Sequence, residues 1–269
     1  MPELPEVQTI INQLRKNLPF EIKTAARSKY FSSMLHTKLP SSFKSDTITA
    51  IDRHGKWIIF RLASEHLLVS HLGMSGGWII NLPERNFPHT HLSLTSQSGI
   101  VWRYVDPRRF GHFYYFTASE WKRKQMSLGI DLLSEDFTLE YFASALGKYP
   151  DRAIKVYLLD QKFFPGVGNY IASEICAHAK IRPERLAKSL NVKEIKELFS
   201  AIHQVLTLAL EKGGVTFGGG YQNTSGEKGE GKSNLLVFHQ TTCQQCLKSQ
   251  VKKIILAGRG TFFCPICQR

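Results

Sequence analysis

Acidic residues are scarce in this 269-residue chain, with 22 Asp and Glu against 35 Lys and Arg and a formal charge of +13. A balance that basic excludes an acidic tail and points to a polyanionic partner. Long apolar runs are missing as well. Nothing approaches the roughly 18 apolar residues of a membrane helix. The first 30 residues carry no apolar core of a secretory signal. A soluble, intracellular protein with no membrane partner is expected. Cysteine is nearly absent until the end: of five, only Cys176 precedes position 243, and its apolar neighbours mark it as a small buried hydrophobe. No internal repeat is present, which leaves out solenoids and arrays.

A hydrophobic fraction of 42% is enough for real cores. Val7, Ile10, Ile11, Leu14 and Leu18 fall at helical spacing, and Pro19 stops that helix. From about 22 to 116 the pattern changes to short strands, clearest at 57–62, 67–72, 91–95, 100–104 and 112–116. Beyond about 120 the chain reads as helical: a hinge and short helix over 128–148, a helix over 151–161, one over 170–180 after a turn at Gly166-Val167-Gly168-Asn169, and a long one from about 192. Asn191 and Glu194 make a capping box for the last, and Gly213-Gly214 end it. The Gly-, Ser- and Asn-rich stretch 213–234 reads as a long mobile loop with a function. The fold class is α+β: a β-sandwich with a packed helix over 1–127, a helical domain carrying that loop over 128–234, and a small β unit over 235–269.

The last 27 residues hold Cys243-x-x-Cys246 and Cys264-x-x-Cys267, separated by seventeen residues. In a chain without a secretory signal, paired knuckles mean one structural zinc ion, its four thiolates leaving no ligand position open. From Thr241 to the end there are five Lys or Arg and no acid. Arg259 falls where a hairpin tip would carry it toward a phosphate.

Met1 precedes Pro2, and a small second residue favours removal of the initiator. That would leave a secondary amine able to attack an aldehyde-level carbon and form an iminium. Glu3 and Glu6 stand next to it. Alone, an N-terminal proline with acids is also ordinary helix-start chemistry.

The motifs around it carry more weight. Pro2-Glu3-Leu4-Pro5-Glu6-Val7, His71-Leu72-Gly73-Met74-Ser75-Gly76, Asp106-Pro107-Arg108-Arg109-Phe110-Gly111 and Gly166-Val167-Gly168-Asn169 occur in this order, and the four cysteines follow. Together they resemble the formamidopyrimidine-DNA glycosylase and endonuclease VIII family over the whole length, with Leu4 closer to the formamidopyrimidine branch. The resemblance implies a helix-two-turn-helix DNA-binding domain, a zinc finger, and a bifunctional glycosylase and AP lyase acting, as a monomer, on double-stranded DNA with an oxidised base or an abasic site. It implies Pro2 as the nucleophile and Glu3 as the acid/base. Lys56 would be a strand lysine on phosphate with a proton-transfer role. Arg259 would be the finger arginine of δ-elimination, and Asn169 a phosphate ligand. Met74, Arg108 and Phe110 would fill the void left by an extruded base. His89, Arg152 and Lys155 are further DNA contacts, the last two on one helix.

Two stretches depart from the family pattern. Where Gly-Gly-Thr-Thr-Leu-Arg-Asp-Phe is common, this chain has Gly213-Gly214-Val215-Thr216-Phe217-Gly218-Gly219-Gly220-Tyr221, one residue longer and without the Arg-Asp pair. That favours ring-opened purines, or oxidised pyrimidines, over 8-oxoguanine. Val237-Phe238-His239-Gln240 stands where Tyr-Gly-Arg is frequent, so an auxiliary basic contact is expected to be missing. Two alternatives stay open: an endonuclease VIII-like enzyme for pyrimidines, and a non-catalytic DNA-binding protein on the same scaffold.

Overall fold

The computed structural model describes residues 1–269. The chain divides into two compact units, Met1–Ser127 with Lys212–Glu230, and Leu128–Glu211 with Gly231–Arg269.

The first unit opens with α1 (Leu4–Leu14). Leu4, Val7, Ile10, Ile11 and Leu14 are fully buried, so the apolar stripe anchors the helix in the core. The Glu6 carboxylate accepts the Glu3 N–H at 2.7 Å, which satisfies a donor the helix start would leave bare. Eight strands follow: β1 (Phe20–Arg27), β2 (Thr47–His54), β3 (Trp57–Leu62), β4 (His66–His71), β5 (Gly77–Ile80), β6 (Thr90–Ser96), β7 (Val101–Val105) and β8 (His112–Thr117). They form one sheet in the order β5-β7-β6-β1-β2-β3-β4-β8. β1 changes partner partway: Phe20 and Glu21 pair with β2, whereas Ile22 and the residues from Thr24 onward pair with β6. The sheet therefore folds over on itself, and the expected sandwich is one antiparallel sheet with two facing halves. Phe60 of β3 meets Trp78 of β5 at 5.2 Å, and Phe20 stacks on Trp102 of β7 at 4.0 Å. α2 (Ala118–Gln125) follows, its N-terminus capped by Thr117.

The 212–230 segment packs with this first unit, not with the helical region. Its anchors are specific. Val215 N–H donates to the Glu6 carboxylate at 2.7 Å, and the Thr224 N–H and hydroxyl both donate to the Gln13 side-chain oxygen. Ile80 N–H donates to the Thr224 carbonyl at 2.8 Å, and Tyr221 enters the core. Gly214, at φ +87°, leaves no room for a Cβ, which would lie 2.7 Å from the Glu6 carboxylate. The loop expected to be mobile is thus tied down along most of its length. Gly218 and Gly219 alone in it face open space on their Cβ side.

The second unit contains α3 (Leu139–Gly147), α4 (Ile154–Leu158), α5 (Asn169–His178), α6 (Val192–Glu211), β9 (Lys252–Leu256) and β10 (Arg259–Phe263). The capping box on α6 forms in both directions: Glu194 N–H donates to Asn191 Oδ1 at 3.0 Å, and Asn191 N–H to the Glu194 carboxylate at 2.9 Å. α4 is shorter than the helix expected over 151–161. Ala153 instead bridges to Leu186, and Asp160 accepts the Phe163, Phe164 and Lys162 N–H groups through its carbonyl and carboxylate. On α5, the buried Glu174 carboxylate accepts N–H groups of Leu236, Val237 and Phe238 at 2.6, 3.0 and 2.7 Å. Burial pushes that carboxyl up, and the three donors pull it back. Cys176 on the same helix is fully buried, as an apolar side chain would be.

Candidate functional site

Pro2 is buried at the start of α1 and lines a cavity of about 170 Å³ with Met74, Gly219, Gly220, Tyr221 and Gln222. Glu3 is 4% exposed and Glu6 1%, while Met1 is 49% exposed. The chain start, the β4–β5 loop and the glycine segment thus meet at one concavity inside the first unit. Met1 stands outside it.

The loops carrying Met74 and Phe110 are organised by the buried carboxylate of Asp106. It accepts the Ser75 hydroxyl at 2.5 Å and the Gly111 N–H at 2.8 Å, with Arg108 N–H at 3.3 Å and the Tyr104 hydroxyl at 3.4 Å. Burial and that carboxylate push the Tyr104 phenol well up, so it stays a donor. A Cβ on Gly73 would strike the Phe110 carbonyl, and one on Gly76 or Gly111 would strike the Tyr104 hydroxyl. Glycine at these places lets the two loops touch. The result is an exposed apolar pair, Met74 at 44% and Phe110 at 46%, with the Arg108 guanidinium 4.7 Å above the Phe110 ring. Core packing would have buried both.

Lys56 is buried and sits in the two-residue turn between β2 and β3, where His54 pairs with Trp57 and Gly55 has φ +56°. The resemblance had placed it on a strand. Its ammonium acts on His71, whose imidazole is pushed down to about 3 by burial first, then by Lys56, His112 and Lys124. His71 Nδ1 accepts the Gly73 N–H at 3.1 Å, so the ring proton resides on Nε2. The sequence reading missed His71 although it stood in a quoted motif. The signal was there: it begins the stretch that carries Met74. His89 lies in the turn before β6 and is exposed, with its carbonyl accepting the Asp106 N–H at 3.0 Å. Neighbouring His91 is buried between the Ser28 hydroxyl and the Asp106 carbonyl.

In the second unit, Arg259 is exposed directly after the Ala257-Gly258 turn of the β9–β10 hairpin, both turn residues having positive φ. The next residue binds Asn169: its Nδ2 donates to the Gly260 carbonyl at 3.0 Å. Lys155 is fully buried, and its ammonium donates to Asn169 Oδ1 at 2.8 Å, Thr261 Oγ1 at 2.8 Å and the Gly260 carbonyl at 3.2 Å. It stands inside the protein as a strut beneath Asn169 and the hairpin, not on the surface. Arg152 lies in the turn before α4, not on the helix with Lys155. It pairs with Asp160 at 2.7 Å and covers the Tyr149 ring at 4.5 Å.

The four cysteines converge, all Sγ atoms lying within 4.8 Å of one another. Four thiols at that spacing with no carboxylate or imidazole among them suit a tetrahedral thiophilic metal and nothing catalytic. No helix of the chain is long and apolar enough to cross a membrane.

Comparison with known proteins gives a consistent result. Residues 1–113 match the formamidopyrimidine-DNA glycosylase N-terminal domain, and residues 128–218 match the formamidopyrimidine-DNA glycosylase H2TH domain. The chain is similar to a formamidopyrimidine-DNA glycosylase of Herpetosiphon aurantiacus, 35% identical over all of both chains. It resembles the crystal structure of a complex between Lactococcus lactis Fpg and an abasic-site-containing DNA, with TM-score 0.87, 30% identity and 99% of each chain covered. A further Lactococcus lactis structure, a variant in complex with a Fapy-dG-containing DNA, has TM-score 0.88 at 30% identity over the full length of both.

Proposed function

The chain belongs to the formamidopyrimidine-DNA glycosylase family, an enzyme family of DNA glycosylases with AP lyase activity that serves base excision repair, and from that premise we propose that it removes oxidised purines from duplex DNA through Pro2 and then cuts the strand. The observation that carries this reading is Pro2 on the wall of the first-unit cavity beside buried Glu3. In peptide linkage a proline nitrogen is no nucleophile. Met1 is exposed, and its removal would leave a secondary amine facing that cavity.

The chemistry is as follows. The Pro2 nitrogen attacks C1′ as the glycosidic bond breaks and the base leaves with the electron pair. Glu3 delivers a proton to the sugar ring oxygen, which opens the ring to an iminium. The iminium acidifies the C2′ hydrogens, and loss of one expels the 3′ phosphate. A second elimination expels the 5′ phosphate, and water then hydrolyses the iminium to free the enzyme. Lys56 and the Nε2–H of His71 hold a phosphate in the first unit. Asn169 and Arg259 do so in the second, where Lys155 acts through Asn169. Met74, Phe110 and Arg108 fill the gap left by the extruded nucleotide, an apolar wedge and a cation suited to stacked bases. The cysteine cluster would hold one zinc ion, which supplies folding energy to the finger and no step of the reaction.

The exposed 218–220 tip bears no side chain, so nothing there selects a purine by a side-chain contact. The family match puts ring-opened purines first, and the bare tip makes oxidised pyrimidines the second reading. Borohydride trapping on duplexes with formamidopyrimidine, 8-oxoguanine, thymine glycol or an abasic site tests both. Covalent complexes on the abasic and formamidopyrimidine duplexes are expected. Background trapping on all four would leave the non-catalytic DNA-binding reading in its place.

A further inference from the structure

Resting on the reading that this chain draws a damaged base into the cavity at Pro2, we infer that Phe87 is the stacking face of that cavity and makes the site select lesions whose base is still a flat π system. Ring-opened purines and 5-hydroxypyrimidines are then preferred to pyrimidines saturated at C5 and C6. Phe87 lines the cavity with Pro2, Met74, Ile79, Gly219 and Gly220, all within the first unit.

The loop between β5 and β6 holds this residue in place before any base arrives. A short turn at Glu84–Asn86 ends with the Phe87 N–H donating to the Glu84 carbonyl at 2.7 Å, and the Phe87 carbonyl accepts the Thr90 hydroxyl at 2.8 Å. Upstream, the Leu82 carbonyl accepts from the Arg103 guanidinium at 2.6 Å. The ring reaches the 212–230 segment, its Cζ lying 3.9 Å from where a Cβ on Gly226 would stand. It is only half-buried and stacks on no other ring, whereas Phe20 with Trp102 and Phe60 with Trp78 are paired in the same unit. The other aromatic on the wall, Tyr221, is buried in the core, so Phe87 is the ring with area to offer. An aromatic face left unpaired on a cavity wall has its complement in a base, and base–aromatic stacking tolerates any flat ring. Saturation of C5–C6 puckers a pyrimidine and removes its π system. Such a base loses this contact while keeping its hydrogen-bonding edge.

The matched substrates are 5-hydroxyuracil and 5-hydroxy-5,6-dihydrouracil in duplex DNA, alike in polar groups and different in planarity. Single-turnover base loss by wild type should be about tenfold faster on the planar one, the scale of one base–aromatic stack. Phe87→Leu keeps an apolar side chain without the flat face. It should cut that preference to about twofold or less, and lower the ratio of formamidopyrimidine excision to abasic-site cutting about tenfold. Phe87→Tyr keeps the ring and should keep both. Equal wild-type rates on the two uracils, zero included, would overturn the inference. So would an undiminished preference or ratio in Phe87→Leu. A loss that Phe87→Tyr shares, or that falls equally on abasic DNA, would reduce the ring to loop packing and overturn it too. Trapping of wild type on an abasic duplex is the separate control: if it succeeds while the ratios fail, Phe87 alone falls. If wild type neither traps nor cuts abasic DNA, the glycosylase reading falls and takes the inference with it.

Discussion

Lys155 donates to Asn169 at 2.8 Å from a position with no exposure to solvent, and the same ammonium reaches Thr261 and the Gly260 carbonyl. One buried charge therefore ties the Asn169 side chain to the β10 strand just past the turn of the β9–β10 hairpin. Lys155→Met keeps the volume but leaves three acceptors with one donor fewer. A stability loss of roughly 2–4 kcal/mol is expected in chemical denaturation, because unmade buried bonds cost more than made ones gain. DNA affinity should fall alongside, and equally for damaged and intact duplexes. Unchanged stability would mean that the ammonium is not the strut described.

Pro2→Gly replaces the ring nitrogen by a primary amine that lacks the fixed backbone geometry. Trapping should drop by about a hundredfold or more, on the scale of losing a covalent catalyst. The melting temperature should hardly move, since α1 is anchored by Leu4, Val7 and the residues beyond them. Mass spectrometry of the native chain should show Met1 removed. Retention of Met1 in active material would refute the amine assignment.

Asp106→Asn tests the loop architecture. Its carboxylate holds Ser75, Gly111 and Arg108, and an amide places donors where only acceptors fit. A loss of about 1–3 kcal/mol is expected, with disordering of Met74 and Phe110. Fluorescence of a base analogue opposite an abasic site should report weaker insertion.

His71 makes stability depend on pH. Its folded value of about 3 lies below the ordinary 6.5, so the unfolded chain takes up a proton there that the folded one refuses. Stability is therefore full above about pH 6.5 and is lost as pH falls toward 3. The contribution between pH 7 and 5 is about 2 kcal/mol. His71→Gln should remove that slope from a series of denaturation curves. An identical slope in the variant would place the effect elsewhere.

Removing the metal should act locally. Zinc analysis should find a single ion per chain, and Cys264→Ala should lose it. The finger should then unfold and release Gly260 and Thr261 from Lys155 and Asn169. A tenfold or greater loss of DNA affinity, with the first unit still folded by near-ultraviolet dichroism, is expected.

Some elements were legible because their cause is local. The stripe of Val7, Ile10, Ile11 and Leu14 announced α1, and the Asn191–Glu194 reciprocal bonds announced the start of α6. β3 was read at its true bounds because nearly all of its residues are apolar or β-branched. β1 was not singled out: only Phe20 and Ile22 of its eight residues are buried, so its pattern is diluted. β5, four residues long, offers no periodicity to read.

The sequence by itself determined the chemistry available: a proline near the chain start, acids beside it, paired cysteine knuckles, and cations in excess. These are properties of residue type and short spacing, and no tertiary contact changes them. Tertiary structure decided which of them meet and in what state. It buried Lys155 and drew 212–230 to Glu6 and Gln13, some 209 to 211 residues away along the chain. It also drove the proton off His71 and set Phe87 on the cavity wall with Pro2. Burial and charge environment depend on what arrives from distant parts of the chain, and periodicity carries no record of that.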